Sequence, residues 1–450
     1  MKTALIILAA GKGTRMNSDL PKVLHPLAGV PMLAHAMHAG SSLNPEHTII
    51  VAGHGAQAVE AAALEQNPAV QVVVQAEQLG TAHAAAQARS ALQEFDGTAY
   101  VLFGDTPFIM PETLLAMQNA QADHDVVILG FEAKDPARYG RLVMQGAQLE
   151  RIVEFQDATE TERAITLCNS GVLACRADLL FSLLDDVSSD NAAGEYYLTD
   201  LVGLARARGL SATAVTCHER ETLGINSRAE LAAADIAFQT HMRTTLLENG
   251  VTMPAPDTVY FAFDTVVGRD CVIEPYVVFG PGVSVETGAT IRAFSHLEGC
   301  HVAEGSTIGP YARLRPGTEL GENTRVGNFV EVKNARVGAG TKVNHLSYVG
   351  DATLGTGTNV GAGTITCNYD GVVKHHTHIG DEVFIGSNTM LVAPVHIGDR
   401  AMTGSGSVIT SDVEPEALAL SRAPQVEKPG MATKIMSILR AKKAKSQRGS

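Results

Sequence analysis

The stretch "LAAGKGTRMNSDLPKVL", Leu8 to Leu24, sets two glycines, Arg15 and Lys22 on a loop that follows an apolar run. A glycine-rich loop between a strand and a helix turns backbone N–H groups and a positive dipole end toward a phosphate chain. The spacing lacks the Gly-Lys-Ser/Thr ending of a Walker loop, and Met16 stands where a dinucleotide fingerprint has its third glycine. Two cations on one loop exceed what a dinucleotide pyrophosphate needs and suit a triphosphate, with a purely structural turn as the alternative.

Other residues invite chemistry. "LFGDTP" puts Asp105 at the carboxyl end of a buried strand, where it could hold Mg²⁺ beside phosphates or merely cap the next turn. Glu154, in "IVEFQDA", could accept from two vicinal sugar hydroxyls. His345, in "NHLSY", interrupts an aliphatic repeat; an imidazole, with its ordinary pKa of about 6.5, can take a proton from an ammonium, or it can be a plain corner residue. "HHTH" sets His376 and His378 on one face of an extended segment, but no third metal ligand is near in sequence, which favours an exposed loop.

Two kinds of scaffold must position these groups, and the organisation changes near residue 226. Before it, the runs "ALIILAA", "HTIIVAG", "VQVVVQA", "AYVLFGD" and "DVVILGF" alternate with helical patterns. That alternation predicts a parallel sheet covered on both faces, with ligands beyond the carboxyl ends of the strands. After residue 250, apolar residues recur every six positions, from Val267, Ile273, Phe279 and Val285 through to Leu391, Ile397 and Ile409, with a break between Val360 and Ile379 and Thr403 as the one polar member. Six fits three short parallel strands per coil, stacked at roughly 4.8 Å, with one inward side chain per strand. Between the halves, Ser227 and Glu230 form a capping-box pattern, Phe238, Met242 and Leu246 share a helical face, and Gly250 can end the helix. The expected division is 1–226, a linker helix 227–249, and 250–450 with a basic, solvated tail, "LRAKKAKSQRGS".

Composition narrows the function classes. A chain of 450 residues is expected to form two domains. Its formal charge of −14 argues against a general nucleic-acid binder. No run of about twenty apolar residues offers membrane insertion, and no basic leader precedes an apolar stretch, so a cytoplasmic protein is expected. The six cysteines, at 168, 175, 217, 271, 300 and 367, contain no C-x-x-C pair and read as reduced, small hydrophobic residues.

The loop at Leu8–Met16, followed by Pro21-Lys22, resembles the signature of the sugar-phosphate nucleotidyltransferases. With the six-residue repeat attached, the chain as far as Arg422 is similar to the bacterial bifunctional N-acetylglucosamine-1-phosphate uridyltransferase / glucosamine-1-phosphate acetyltransferase family. The resemblance implies a Rossmann-like α/β domain and a left-handed parallel β-helix, UTP and acetyl-CoA as co-substrates, Mg²⁺ as cofactor, and a homotrimer. In the first half it implies nucleotide contacts from Leu8, Ala9, Ala10, Gly11, Lys22, Phe103, Gly104 and Asp105. Gln75, Gly80 and Thr81 of "QAEQLGTAHA" would read the uracil. It makes Asp105 and Asn226 the metal ligands, Arg15 and Lys22 the catalytic cations, and Gly140, Glu154, Asn169 and Asn226 the sugar contacts.

In the second half the resemblance implies His345 as the base, and Glu331, just before the strand that carries Lys333, is a candidate to orient its ring. Arg315, Lys333, Tyr348 and Asn359 would bind the sugar phosphate. Ala362, Asn368, Tyr369, Ser387, Ser405 and Arg422 would line the acetyl-CoA site; the family usually has a small apolar residue where Ser405 stands. Rival readings are a single-activity pyrophosphorylase for ADP-glucose or dTDP-glucose with a regulatory repeat half, and a catalytically silent assembly protein. Acetyl transfer through "NHLSY" and "CNYDG" separates both from the bifunctional enzyme.

Overall fold

The computed structural model describes residues 2–447. The chain divides into two compact units, one reaching to Thr245 together with Phe261–Asp264, the other made of Leu246–Tyr260 and Thr265 onward.

The first unit is built on β1 (Thr3–Ala9), whose seven residues are all buried because both faces are covered. Ala4, Ile6 and Leu8 enter one core and Leu5, Ile7 and Ala9 the other, as the two-residue period of a strand requires. Following β1 come α1 (Met32–Ser41), β2 (His47–Ala52), α2 (Ala56–Gln66), β3 (Gln71–Val74), α3 (Thr81–Ala86), β4 (Thr98–Phe103), α4 (Pro111–Ala120) and β5 (Val126–Glu132). A hairpin of β6 (Arg141–Gln145) and β7 (Gln148–Val153) precedes β8 (Leu167–Arg176), α5 (Ala177–Leu184), α6 (Asp200–Ala207) and β9 (Ala212–Cys217). The main path of the sheet runs β9-β5-β8-β4-β1-β2-β3. β8 is antiparallel to both of its neighbours on that path, while the other pairs along it are parallel. The carboxyl ends of β1 and β4 lie side by side, with Leu8 opposite Phe103, so the loops after them share one edge.

Helix α7 (Arg228–Glu248) begins at the expected cap, with Ser227 Oγ accepting from the Glu230 N–H at 3.2 Å. It is more than a connector. Ile225 and Ala234 are buried with Leu27 and Met32, and the Gln239 amide exchanges hydrogen bonds of 2.8 and 2.9 Å with the backbone of Phe261.

In the second unit the six-residue period becomes three columns of parallel strand pairs. One column runs Ile273, Ile291, Ile308, Val326, Val343, Val360, Ile385 and Thr403, one residue per coil. The apparent break after Val360 is an excursion from a continuous coil. Thr366 takes the next inward place beside Gly350 and Leu391, with its hydroxyl donating to the Gly350 carbonyl at 3.0 Å. "HHTH" returns to the coil instead of lying in an exposed loop: Thr377 points inward, His376 meets the Thr353 hydroxyl at 2.9 Å, and His378 lies across from His396. Buried hydroxyls answer corner carbonyls between coils, as Thr341 does to Gly355 at 2.7 Å and Thr358 to Gly380 at 2.8 Å. The basic tail also departs from expectation, since Met431–Ser446 forms α8, exposed along its length. Residues 448–450 of the tail lie outside the described residues.

Candidate active sites

In the first unit, three segments far apart in sequence converge at the ends of β1 and β4. Lys22 sits on the single turn Lys22–Leu24, which Pro21 enters in an extended conformation. The ammonium is ion-paired to Asp105 Oδ2 and lies 3.0 Å from Asn226 Oδ1. Asn226 is brought there because the Ile225 N–H bonds the Asp105 carbonyl at 3.0 Å. Glu230 Oε2 then takes the Asn226 N–H at 2.7 Å, tying the start of α7 to the same spot. An aspartate oxygen and an amide oxygen thus already face one cation.

A cavity of about 260 Å³ opens there, lined by Leu8, Ala9, Ala10, Gly11, Lys22 and Asp105 on one side and by Gln75, Gly80, Thr81 and Phe103 on the other. A side chain at Gly11 would meet nothing within 4 Å, leaving its backbone open to an approaching anion. Gly80, at φ 121°, admits no other residue, because a Cβ would stand 2.4 Å from the Tyr196 carbonyl oxygen. Two of the expected contacts lie elsewhere. Gly104 is set behind the cavity, its N–H bonded to the Leu8 carbonyl at 3.0 Å. Arg15 stands exposed on the turn Thr14–Met16 and does not line it.

A second cavity of about 260 Å³ abuts the first, with Thr81 and Phe103 in both walls. Gly140, Glu154 and Asn169 meet in it, together with Arg138, Tyr139 and Thr199. Burial holds the Glu154 carboxyl above the usual carboxylate range; the Thr199 hydroxyl, donating at 3.2 Å, works against this, and Asp157 and Asp200 add to it. The loop that forms one wall depends on a residue that motif reading passes over. Arg141, 2% exposed, donates to the carbonyls of Pro136 and Ala137 at 3.2 Å and to those of Tyr139 and Arg163. Its signal in the sequence is a lone arginine opening the apolar run "RLVM".

In the second unit, His345 ends the strand Lys342–His345, and its Nδ1 lies 2.9 Å from Asn328 Oδ1 on the preceding coil. An amide oxygen only accepts, so Nδ1 carries a proton and Nε2 is the nitrogen left to exchange one. Within one chain Glu331 does not reach the ring. It accepts from Arg315 at 2.7 Å and lies near Arg313, in a different strand column from His345. The register decides this: the residue facing His345 is the one 17 positions earlier, Asn328.

His345 shares a groove with Asn328, Arg292 and Arg325, while Tyr348 and Glu331 line another with Tyr311, Phe329 and Ile365. Lys333 has its charge opposed by Lys374, a second cation from the 368–376 excursion, which lowers its pKa; Arg315 adds to the effect. Asp351 is opposed by burial, yet the amides of Asn334 and Asn368 outweigh this and hold it below its usual range. Asn368 also reaches the Tyr348 hydroxyl at 3.4 Å, and Tyr369 closes the excursion by donating to the Gly371 carbonyl at 2.6 Å. Asn359 opens the next strand of the His345 column. Ala362, Ser387 and Ser405 stack on successive coils through backbone bonds, Asn388 N–H to Ala362 at 2.7 Å and Gly406 N–H to Ser387 at 2.8 Å. Arg422 ends this column by donating to the Ser405 carbonyl at 2.6 Å. Lys374 and Asp351 were not foreseen, because both sit where the six-residue count gives only corners or an interruption.

Two family models match the two units. Residues 5–175 match the MobA-like NTP transferase domain, and residues 264–299, 299–334 and 376–411 match the bacterial transferase hexapeptide repeat. The coil unit is thus a left-handed parallel β-helix. Over 450 residues, all of both chains, this chain is 75% identical to the "Bifunctional protein GlmU" of Roseobacter denitrificans. It is 66% identical over 449 residues to that of a Ruegeria species, again spanning all of both chains. The protein of the same name from Paracoccus denitrificans is 61% identical over 440 residues, covering 98% of each. The chain belongs to the bifunctional GlmU family. Membership joins the two units in one protein, and no helix among the described residues is long and apolar enough to cross a membrane.

Proposed function

We propose that this chain makes UDP-N-acetylglucosamine in two steps, acetylating glucosamine-1-phosphate with acetyl-CoA in the coil unit and transferring uridylyl from UTP in the α/β unit. The observation that carries the reading is the meeting of Lys22, Asp105 and Asn226 beside two abutting cavities. UTP would lie along Leu8–Gly11 with its base toward Gln75, Gly80 and Thr81. N-acetylglucosamine-1-phosphate would occupy the side of Gly140, Glu154 and Asn169, its hydroxyls donating to the half-buried carboxylate.

Asp105 and Asn226 suit Mg²⁺, since one carboxylate and one amide oxygen converging on a cation are the hard donors that ion takes, with phosphates and waters completing its shell. When bound, Mg²⁺ neutralises phosphate charge as a Lewis acid. Lys22 supplies a second positive charge at the same place, and Arg15 would reach the leaving pyrophosphate by swinging its long side chain inward. The attacking sugar phosphate is already ionised at neutral pH, so its oxygen bonds the α-phosphorus in line as pyrophosphate departs, with no general base.

In the coil unit, His345 Nε2 takes a proton from the sugar ammonium, and the amine attacks the thioester carbonyl as coenzyme A leaves as the thiol. Arg315, Lys333 and the neighbouring Lys374 hold the sugar phosphate, with Tyr348 and Asn359 on the sugar. The column Ala362, Ser387 and Ser405, with Asn368, Tyr369 and Arg422, receives acetyl-CoA. His345 and Tyr348 face different grooves of one chain, which supports a homotrimer in which a neighbouring copy completes the site. The cytoplasm, where UTP and acetyl-CoA are made, is the matching compartment. The units are functional domains, the first taking in α7 as far as Thr245 together with Phe261–Asp264. Purified full-length protein given glucosamine-1-phosphate, acetyl-CoA and UTP should release thiol and pyrophosphate in equal amounts with UDP-N-acetylglucosamine. Pyrophosphate release from N-acetylglucosamine-1-phosphate without any thiol release from glucosamine-1-phosphate would leave only a pyrophosphorylase.

A further inference from the structure

The amide of Gln75 is gripped from two sides. Its Nε2 lies 3.2 Å from the Gly80 carbonyl oxygen and 3.0 Å from His83 Nδ1, and the residue is only 3% exposed. A carbonyl oxygen can only accept, so the NH₂ edge of the amide must face Gly80. The second N–H of that group then points at His83, whose Nδ1 must offer its lone pair; the ring is neutral and carries its proton on Nε2. Gln87 Nε2 approaches that ring nitrogen at 3.3 Å but already donates to the His83 carbonyl at 3.0 Å. A neutral imidazole has one lone pair to give, and the shorter contact, with Gln75, takes it. Both N–H groups of Gln75 are thereby used, and Oε1 receives no hydrogen bond from any described residue. It is a fixed acceptor on a side chain that lines the nucleotide cavity.

We propose that His83, through Gln75, sets the base specificity of the uridylyl site. With Oε1 held toward the cavity, the site accepts a pyrimidine whose N3 carries a proton, as uracil does, and rejects one whose N3 carries a lone pair, as cytosine does. The inference rests on reading this cavity as the nucleotide site. An amide able to turn over would present NH₂ to cytosine as readily as oxygen to uracil, so Gln75 by itself cannot discriminate. Gly80 supplies one anchor and His83 the other. A site built around one hydrogen-bond polarity rejects the opposite one because acceptors are left facing each other without a proton. His83 is a positioning residue, one side chain removed from the base.

The test is the ratio of kcat/KM for UTP to that for CTP, with N-acetylglucosamine-1-phosphate as acceptor, in the full-length protein. His83→Leu keeps the bulk and removes the acceptor. It should lower the ratio by about tenfold or more, chiefly through the KM values, while acetyl transfer stays at the wild-type rate. His83→Asn, whose Oδ1 falls near the Nδ1 position, should restore the ratio to within about threefold of wild type. Should the leucine variant fail to fold, His83→Gln, which reaches past that position, should lose the ratio in its place. Equal losses for both nucleotides, or an unchanged ratio in His83→Leu, would overturn the role of His83. A wild-type protein with no preference for UTP over CTP would overturn the uracil reading of the cavity instead, which is a separate result.

Discussion

The two units assemble their sites by opposite means. In the α/β unit, Lys22 meets Asp105 and Asn226 across 83 and 204 residues, and no local period relates the three positions. In the coil unit, neighbours in space recur at about one coil, as His345 and Asn328 do at 17 residues. Sites in the first therefore depend on loops fixed by tertiary hydrogen bonds, such as Ile225 N–H to Asp105. Sites in the second depend on register, so that a partner can be found by subtracting a coil length.

The sharpest way to break this contrast is to remove the group each unit relies on. His345→Ala should lower acetyl transfer about 10²- to 10⁴-fold in a thiol-release assay and leave uridylyl transfer unchanged. An acetyl transfer rate at the wild-type level would reduce His345 to a corner residue. Asp105→Asn should lower UDP-N-acetylglucosamine formation about 10²- to 10³-fold, and EDTA should do the same to the wild type, with thiol release untouched in the variant. Turnover that persists without divalent metal would remove the assignment of Asp105 and Asn226.

A smaller effect tests the register itself. Asn328→Ala frees the His345 ring to take the other tautomer and should lower acetyl transfer about tenfold, with Asn328→Asp retaining more of it. If Asn328→Ala were silent, the cross-coil contact would not position the base. The smallest change concerns Glu154. Its raised folded-state pKa means that the folded protein holds this proton more tightly than the unfolded chain does. Stability from this group is therefore present at low pH and declines as pH rises through the folded value. Glu154→Gln should melt at the same temperature as wild type or higher at neutral pH, while KM for N-acetylglucosamine-1-phosphate rises about tenfold. A variant that is less stable and binds the sugar normally would contradict the role of this carboxylate.

Legibility in the sequence followed the same division. Strands alternating with helices named the sheet, and the six-residue period named the inward column of each coil face, because both patterns record burial directly. Lys22, Asp105 and Gly80 line one cavity at the ends of β1 and β4, and Glu154 lines the cavity that abuts it. Gly104 is expected at the nucleotide from the resemblance alone, whereas its N–H serves Leu8. Glu331 stands in another strand column of the same chain, where the period, not nearness in sequence, sets the neighbour of His345. Arg141 escaped notice since its acceptors are all backbone carbonyls, which no side-chain pattern reveals. The apparent break before Ile379 hid Thr366 because a buried threonine, hydrogen-bonded to Gly350, does the work of an aliphatic residue there.

The central claim is that one chain carries two separable chemistries linked by a diffusible intermediate. Mixing the Asp105→Asn and His345→Ala proteins and supplying glucosamine-1-phosphate, acetyl-CoA and UTP tests it directly. Each variant alone should make almost no UDP-N-acetylglucosamine from glucosamine-1-phosphate, and the mixture should make it at a rate approaching that of the wild type. A mixture no faster than either variant alone, when each retains its own half-reaction, would contradict the account.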